Sequence, residues 1–91
     1  MAVERWEVRF VGRVQGVGVR YSTVGIARGY DVRGTVRNLA DGSVRLIVEG
    51  KSDELRQFVA AIQEQFAGHI RETLVDRLPA SGEFTDFSIC Y

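Results

Sequence analysis

The chain has 91 residues, with 12 Lys and Arg against 12 Asp and Glu, one histidine and one cysteine. That length makes one domain with no room for a second core, and burying roughly 60–70% of the unfolded surface is enough to fold it without staples. Formal neutrality argues against a nucleic-acid-coating or membrane-surface role driven by bulk charge, while leaving room for a local positive site, and one cysteine excludes an intramolecular disulfide.

Residues 5–12 read as the first strand, with Trp6, Val8 and Phe10 on one side and Glu7 and Arg9 on the other. No leader peptide is expected, since Met1-Ala2-Val3-Glu4-Arg5 runs directly into the strand. No stretch approaches the length of a membrane span, so the expectation is a soluble, cytoplasmic monomer. Residues 20–28 read as a short helix in which Tyr21, Val24 and Ala27 or Arg28 share a face, and Gly29 is placed to end it. Gly25 inside that helix lowers its stability by ~1 kcal/mol relative to alanine, which points to a conformational or close-packing reason.

Residues 30–38 form a second strand, with Val32, Gly34, Val36 and Asn38 of one parity. The turn Leu39-Ala40-Asp41-Gly42 carries an Asp-Gly hairpin signal, and residues 43–50 return as a third strand with Val44, Leu46 and Val48 inward. The second helix is the clearest element. Ser52 is a candidate cap, Asp53 and Glu54 put negative charge in the first turn, and Leu55, Phe58, Val59, Ile62 and Phe66 form one apolar stripe that Gly68 ends. Residues 70–77 make a fourth strand, Leu78-Pro79-Ala80-Ser81-Gly82 a loop, and Phe87, Ile89 and Tyr91 alternate in a short last strand.

The order is β-α-β-β-α-β with an extra C-terminal strand. It predicts an α+β fold, the ferredoxin-like α/β sandwich: an antiparallel sheet with two helices on one face and a short extra C-terminal strand. Fold alone does not settle function.

Between the first strand and the first helix lies Gly12-Arg13-Val14-Gln15-Gly16-Val17-Gly18-Val19-Arg20-Tyr21. Three glycines in seven residues let the backbone curl and turn several N–H groups toward one point. The helix adds its unpaired N–H groups and the positive end of its dipole, and Arg20 brings a guanidinium to the same place. No Walker-type Gly-Lys-Ser/Thr string is present, and the position three after Gly18 is Tyr21, which excludes the dinucleotide fingerprint. Spacing alone leaves two readings open: an anion cradle and a plain strand-to-helix turn.

His69 has no second ligand at metal spacing and reads as a solvated or helix-capping histidine. Cys90 has no His or Asn partner nearby and reads as a small strand residue.

Taken together, the Gly12–Tyr21 run, Gly34-Thr35-Val36-Arg37-Asn38, Asp41-Gly42-Ser43-Val44 and Glu49-Gly50 strongly resemble the acylphosphatases, over essentially the whole chain. The resemblance implies hydrolysis of the mixed anhydride of a carboxylic acid and phosphate, with no metal or organic cofactor. It implies Arg20 as the group that binds the substrate phosphate, Asn38 as the group that positions the attacking water, and the backbone of Gln15, Gly16, Val17, Gly18 and Val19 as the phosphate-binding loop. The implied partner is a small acyl phosphate, with no nucleic acid and no membrane. Two positions depart from the family: Val19 and Thr35 stand where aromatic residues are usual. Both are expected to alter packing or substrate fit more than chemistry. Two other readings stand beside this one. A non-catalytic phosphate- or carbamoyl-phosphate-binding or regulatory module would use the same cradle. An RNA-binding domain would need exposed aromatics beside Arg33, Arg37 and Arg45, and none is there.

Overall fold

The computed structural model describes residues 2–91; Met1, where the N-terminal reading begins, lies outside the described residues. The elements are β1 (Val3–Gly12), α1 (Val19–Ala27), β2 (Val32–Asn38), β3 (Val44–Lys51), α2 (Ser52–Gln65), β4 (Ile70–Pro79) and β5 (Phe87–Ile89). They build one sheet in the order β4-β1-β3-β2-β5. The β1–β3, β1–β4 and β2–β3 pairs are antiparallel, as expected of the ferredoxin-like sandwich.

Directly opposed residues of an antiparallel pair share a face. The register sets Trp6 against Val48, Val8 against Leu46 and Phe10 against Val44, so the alternating apolar side chains of β1 and β3 fall on one side of the sheet. That side meets Leu55, Phe58, Val59 and Ile62 of α2, all buried. The Phe58 ring also meets Tyr30 and Phe87, at centroid distances of 5.9 and 5.5 Å. The opposite face is polar and internally paired: Arg45 donates to Glu7 (2.9 Å), and Arg5 to the other oxygen of Glu7 (3.2 Å).

Several expectations need correction or completion. The direction of the extra last strand, which the sequence reading left open, is parallel: β5 runs beside β2, with Gly34 opposite Phe87 and Val36 opposite Ile89. The chain leaves β4 on one edge and crosses the end of the sheet before entering beside β2 on the other edge, and that route fixes its direction. The buried residues of α1 are Val19, Thr23 and Ala27, so Tyr21 belongs to the solvent side. Gly25 has nothing within 4 Å of where a Cβ would stand, so close packing does not account for it. Ser52 is the first helical residue of α2 and makes no capping bond; Lys51 is the N-cap, and the Asp53 carboxylate accepts from the Glu54 N–H (3.0 Å). That helix stops at Phe66, before Gly68, where the N–H groups of His69 and Ile70 both turn back to the Phe66 carbonyl. No helix among the described residues is long and apolar enough to cross a membrane.

Candidate active site

Gly16 and Gly18 adopt left-handed backbone, with φ of +79° and +83°. Gly18 is the N-cap of α1, and no side chain caps that helix. The first intrahelical bond runs from the Ser22 N–H to the Gly18 carbonyl (3.0 Å). The N–H groups of Val19, Arg20 and Tyr21 precede it and have no partner within the helix. They sit at the positive end of the α1 dipole, and no acidic side chain occupies its first turn.

Two anchors hold the loop in this shape. Val14 and Val19 are buried in the core, pinning the backbone on either side of the exposed Gly16–Gly18 segment. The Gln15 amide reaches across and donates to the carbonyls of Leu39 (2.7 Å) and Ser43 (2.9 Å), the two ends of the β2–β3 turn. The turn itself is closed by the Leu39 N–H on the Ser43 carbonyl and by the Ser43 hydroxyl and N–H on Asp41. Those Ser43 contacts hold the Asp41 carboxyl below the usual range. Asn38, the last residue of β2, is thereby tied to the loop.

A surface cavity of about 200 Å³ results, lined by Val14, Gly16, Gly18, Val19, Arg20, Tyr21 and Asn38. Gly16, Gly18, Val19, Arg20 and Asn38 come together around it. Gln15 and Val17 do not line it: Gln15 spends its side chain on the hairpin, and Val17 points to solvent at 39% exposure. The departures at positions 19 and 35 have different settings. Val19 is core, and Thr35 lies on the polar sheet face between Ile47 and Ser88, outside the cavity.

Sequence reasoning missed Tyr91 as part of this region, and it included Val14 and Tyr21 in the glycine-rich run without naming them as site residues. The Arg20 guanidinium carbon lies 5.3 Å from the centroid of the Tyr91 ring, and the Tyr91 and Tyr21 hydroxyls are 3.4 Å apart. That hydroxyl contact pushes the Tyr91 phenol above its ordinary range. The ion pairs among the described residues use Arg5, Arg9 and Arg45 and leave Arg20 free. No carboxylate, histidine or cysteine lines the cavity. Exposed His69 stacks edge-on against Phe66, with ring centroids 6.3 Å apart. Half-buried Cys90 donates its N–H to the Val36 carbonyl (2.8 Å).

Chemically, converging N–H donors, a helix dipole and one unpaired guanidinium suit a tetrahedral oxyanion, and a neutral amide beside them suits a water. Comparisons with known proteins identify the family. The acylphosphatase family model matches residues 6–89. An acylphosphatase of Treponema denticola is 44% identical over 78 residues, covering 86% of this chain and 83% of the relative. The crystal structure of acylphosphatase from Bacillus subtilis superposes with a TM-score of 0.86 at 29% identity, over 97% of this chain and 99% of that one. Full-length HypF in its phosphate- and nucleotide-bound form is similar over 98% of this chain but only 12% of its own, with a TM-score of 0.82 and 26% identity. With its cradle, its sheet order and these likenesses in agreement, the chain belongs to the acylphosphatase family of hydrolases.

Proposed function

We propose that residues 1–91 form a single acylphosphatase-like domain that hydrolyses acyl phosphates as a monomer, without metal or cofactor. The phosphoryl group lies in the cradle of Gly16, Gly18 and the first turn of α1, with Arg20 gripping its oxygens in a fork. Asn38 holds a water in line with the bond to be broken. The water oxygen bonds to phosphorus as the P–O bond to the acyl group breaks. The electron pair leaves with the carboxylate, and the water proton passes to a phosphate oxygen. The substrate is already activated, so the protein's work is to hold the group, neutralise developing charge and aim the water. The donor set favours this route, since the cavity offers N–H groups and an amide and has no carboxylate with which to hold a cation.

The observation that carries this reading is the convergence of an unpaired Arg20, the uncapped N-terminus of α1 and Asn38 on one cavity. It is tested by hydrolysis of benzoyl phosphate in the presence of EDTA. Wild-type turnover should survive the chelator, and Arg20→Ala and Asn38→Ala should each lose ~10²–10³ in rate, the usual cost of one transition-state donor. His69→Ala should leave the rate nearly unchanged. A protein that binds inorganic phosphate but turns nothing over would instead be a phosphate-binding module, the reading favoured by the likeness to a segment of HypF. Normal rates in both site variants would mean that the site lies elsewhere.

A further inference from the structure

The cradle measures about 200 Å³, below the ~300–1,000 Å³ of pockets that take in a whole small ligand. Given the proposed reaction, on which this inference rests, only the phosphoryl half of an acyl phosphate fits inside. The acyl half stays at the mouth, and what it meets there is aromatic. Tyr21 lines the cavity and is 67% exposed; Tyr91, in contact with both Tyr21 and Arg20, is 79% exposed. The other exposed large apolar side chains lie elsewhere, apart from Val17 in the loop itself: Val3 at the far end of β1, and Leu74, Val75 and Leu78 on β4 at the opposite edge of the sheet.

The two rings come from distant parts of the chain. Tyr21 is carried by α1, and Tyr91 follows β5, whose parallel run beside β2 delivers it to the end of the sheet where Asn38 stands. Their hydroxyls meet, and the Tyr91 ring covers the guanidinium carbon of Arg20, so the pair has a defined geometry relative to the phosphate-binding cation. Two exposed rings fixed beside that cation offer apolar area to whatever group the phosphate carries, at little further cost in side-chain ordering.

We infer that Tyr21 and Tyr91 form the acyl-group subsite and select acyl phosphates bearing an aromatic acyl group over acetyl phosphate. An aromatic acyl group stacks on the rings, whereas an acetyl group is too small to reach across them.

The test compares kcat/KM for benzoyl phosphate and acetyl phosphate in the wild type, in Tyr21→Ser/Tyr91→Ser, and in Tyr21→Phe/Tyr91→Phe. The wild type should prefer benzoyl phosphate. The preference should fall about tenfold in the serine pair, chiefly through KM, as expected when two ring contacts are lost. The phenylalanine pair should keep it, because it retains both rings. If the serine pair loses both substrates equally, the rings merely steady Arg20 and the inference is overturned. It is also overturned by a wild type that hydrolyses the two equally well, a result that leaves the hydrolase reading intact. A wild type that turns over neither substrate ends that reading, and this inference with it.

Discussion

Thr23 is fully buried in α1, and its hydroxyl has no hydrogen-bond partner among the described residues. An unpaired buried hydroxyl costs ~1–3 kcal/mol. Two positions on, Gly25 stands in open space on the exposed side of the same helix, where glycine forfeits ~0.5–1 kcal/mol relative to alanine. Thr23→Val is therefore expected to raise stability by about 1 kcal/mol and Gly25→Ala by about 0.5–1 kcal/mol. Urea midpoints at unchanged m-value check both; a lower midpoint for Thr23→Val would show that its hydroxyl is satisfied after all. At this scale the sequence was informative about backbone shape: Gly16 and Gly18 stand out by spacing and take left-handed backbone, and Arg20 and Asn38, at the ends of readable elements, line the cavity beside them. The Gln15 clamp was not legible, because its partners are carbonyls 24 and 28 residues away. Tyr21 was misplaced because a face of Tyr21, Val24 and Ala27 fits helical spacing as well as the buried one of Val19, Thr23 and Ala27.

One carboxylate takes most of the hydrogen bonds that fasten the start of the segment between β4 and β5. Buried Glu49 of β3 accepts from the N–H (2.7 Å) and hydroxyl (2.8 Å) of Ser81 and from the N–H of Gly82 (2.9 Å), with Arg5 at 3.7 Å. Burial opposes its ionised form, but those donors and the Arg5 charge outweigh it and hold the carboxyl below the usual range. A depressed folded-state pKa gives stability that is present above the unfolded value, ~4.3 for glutamate, and lost as pH falls through the folded value. Stability should therefore decline below about pH 4.3, and Glu49→Gln should flatten that part of the curve while lowering stability at neutral pH by ~1–3 kcal/mol. Denaturant midpoints of both proteins from pH 7 to pH 3 decide it; parallel curves would place the acid sensitivity in another group. The Glu49-Gly50 pair stood out in the sequence only as part of a family pattern. Its work was invisible there because Ser81 and Gly82 lie more than thirty positions away. Element boundaries shifted by a residue or two for a similar reason. A cap such as the one expected at Ser52 depends on whether the chain before it is already committed to a strand, as Lys51 is.

Over the whole molecule the alternating strands and the apolar stripe of α2 were enough to give the element order, because each depends only on periodicity. The direction of β5 was not, because it depends on which edge the chain reaches after β4. Phe58 ties these parts together, meeting Phe87 just inside β5 and Tyr30 just before β2 while itself fully buried. Phe58→Ala is expected to cost ~3–5 kcal/mol, a large share of the ~5–15 kcal/mol that holds a domain together. Thermal unfolding should show a midpoint lower by well over ten degrees, and a shift of only a few degrees would mean that the core closes over the gap.

Gly16, Val17 and Gly18 are all exposed, so bulk solvent reaches the floor of the cradle directly. An enzyme that passes a phosphoryl group to an alcohol or an amine must keep solvent away, or the group is lost to it as a side reaction. For a hydrolase the leak is the reaction. The exposed loop therefore makes the co-substrate available at about 55 M, on the order of the concentration of water itself, without any closing movement. For the proposed reaction, the same openness favours water over any other acceptor.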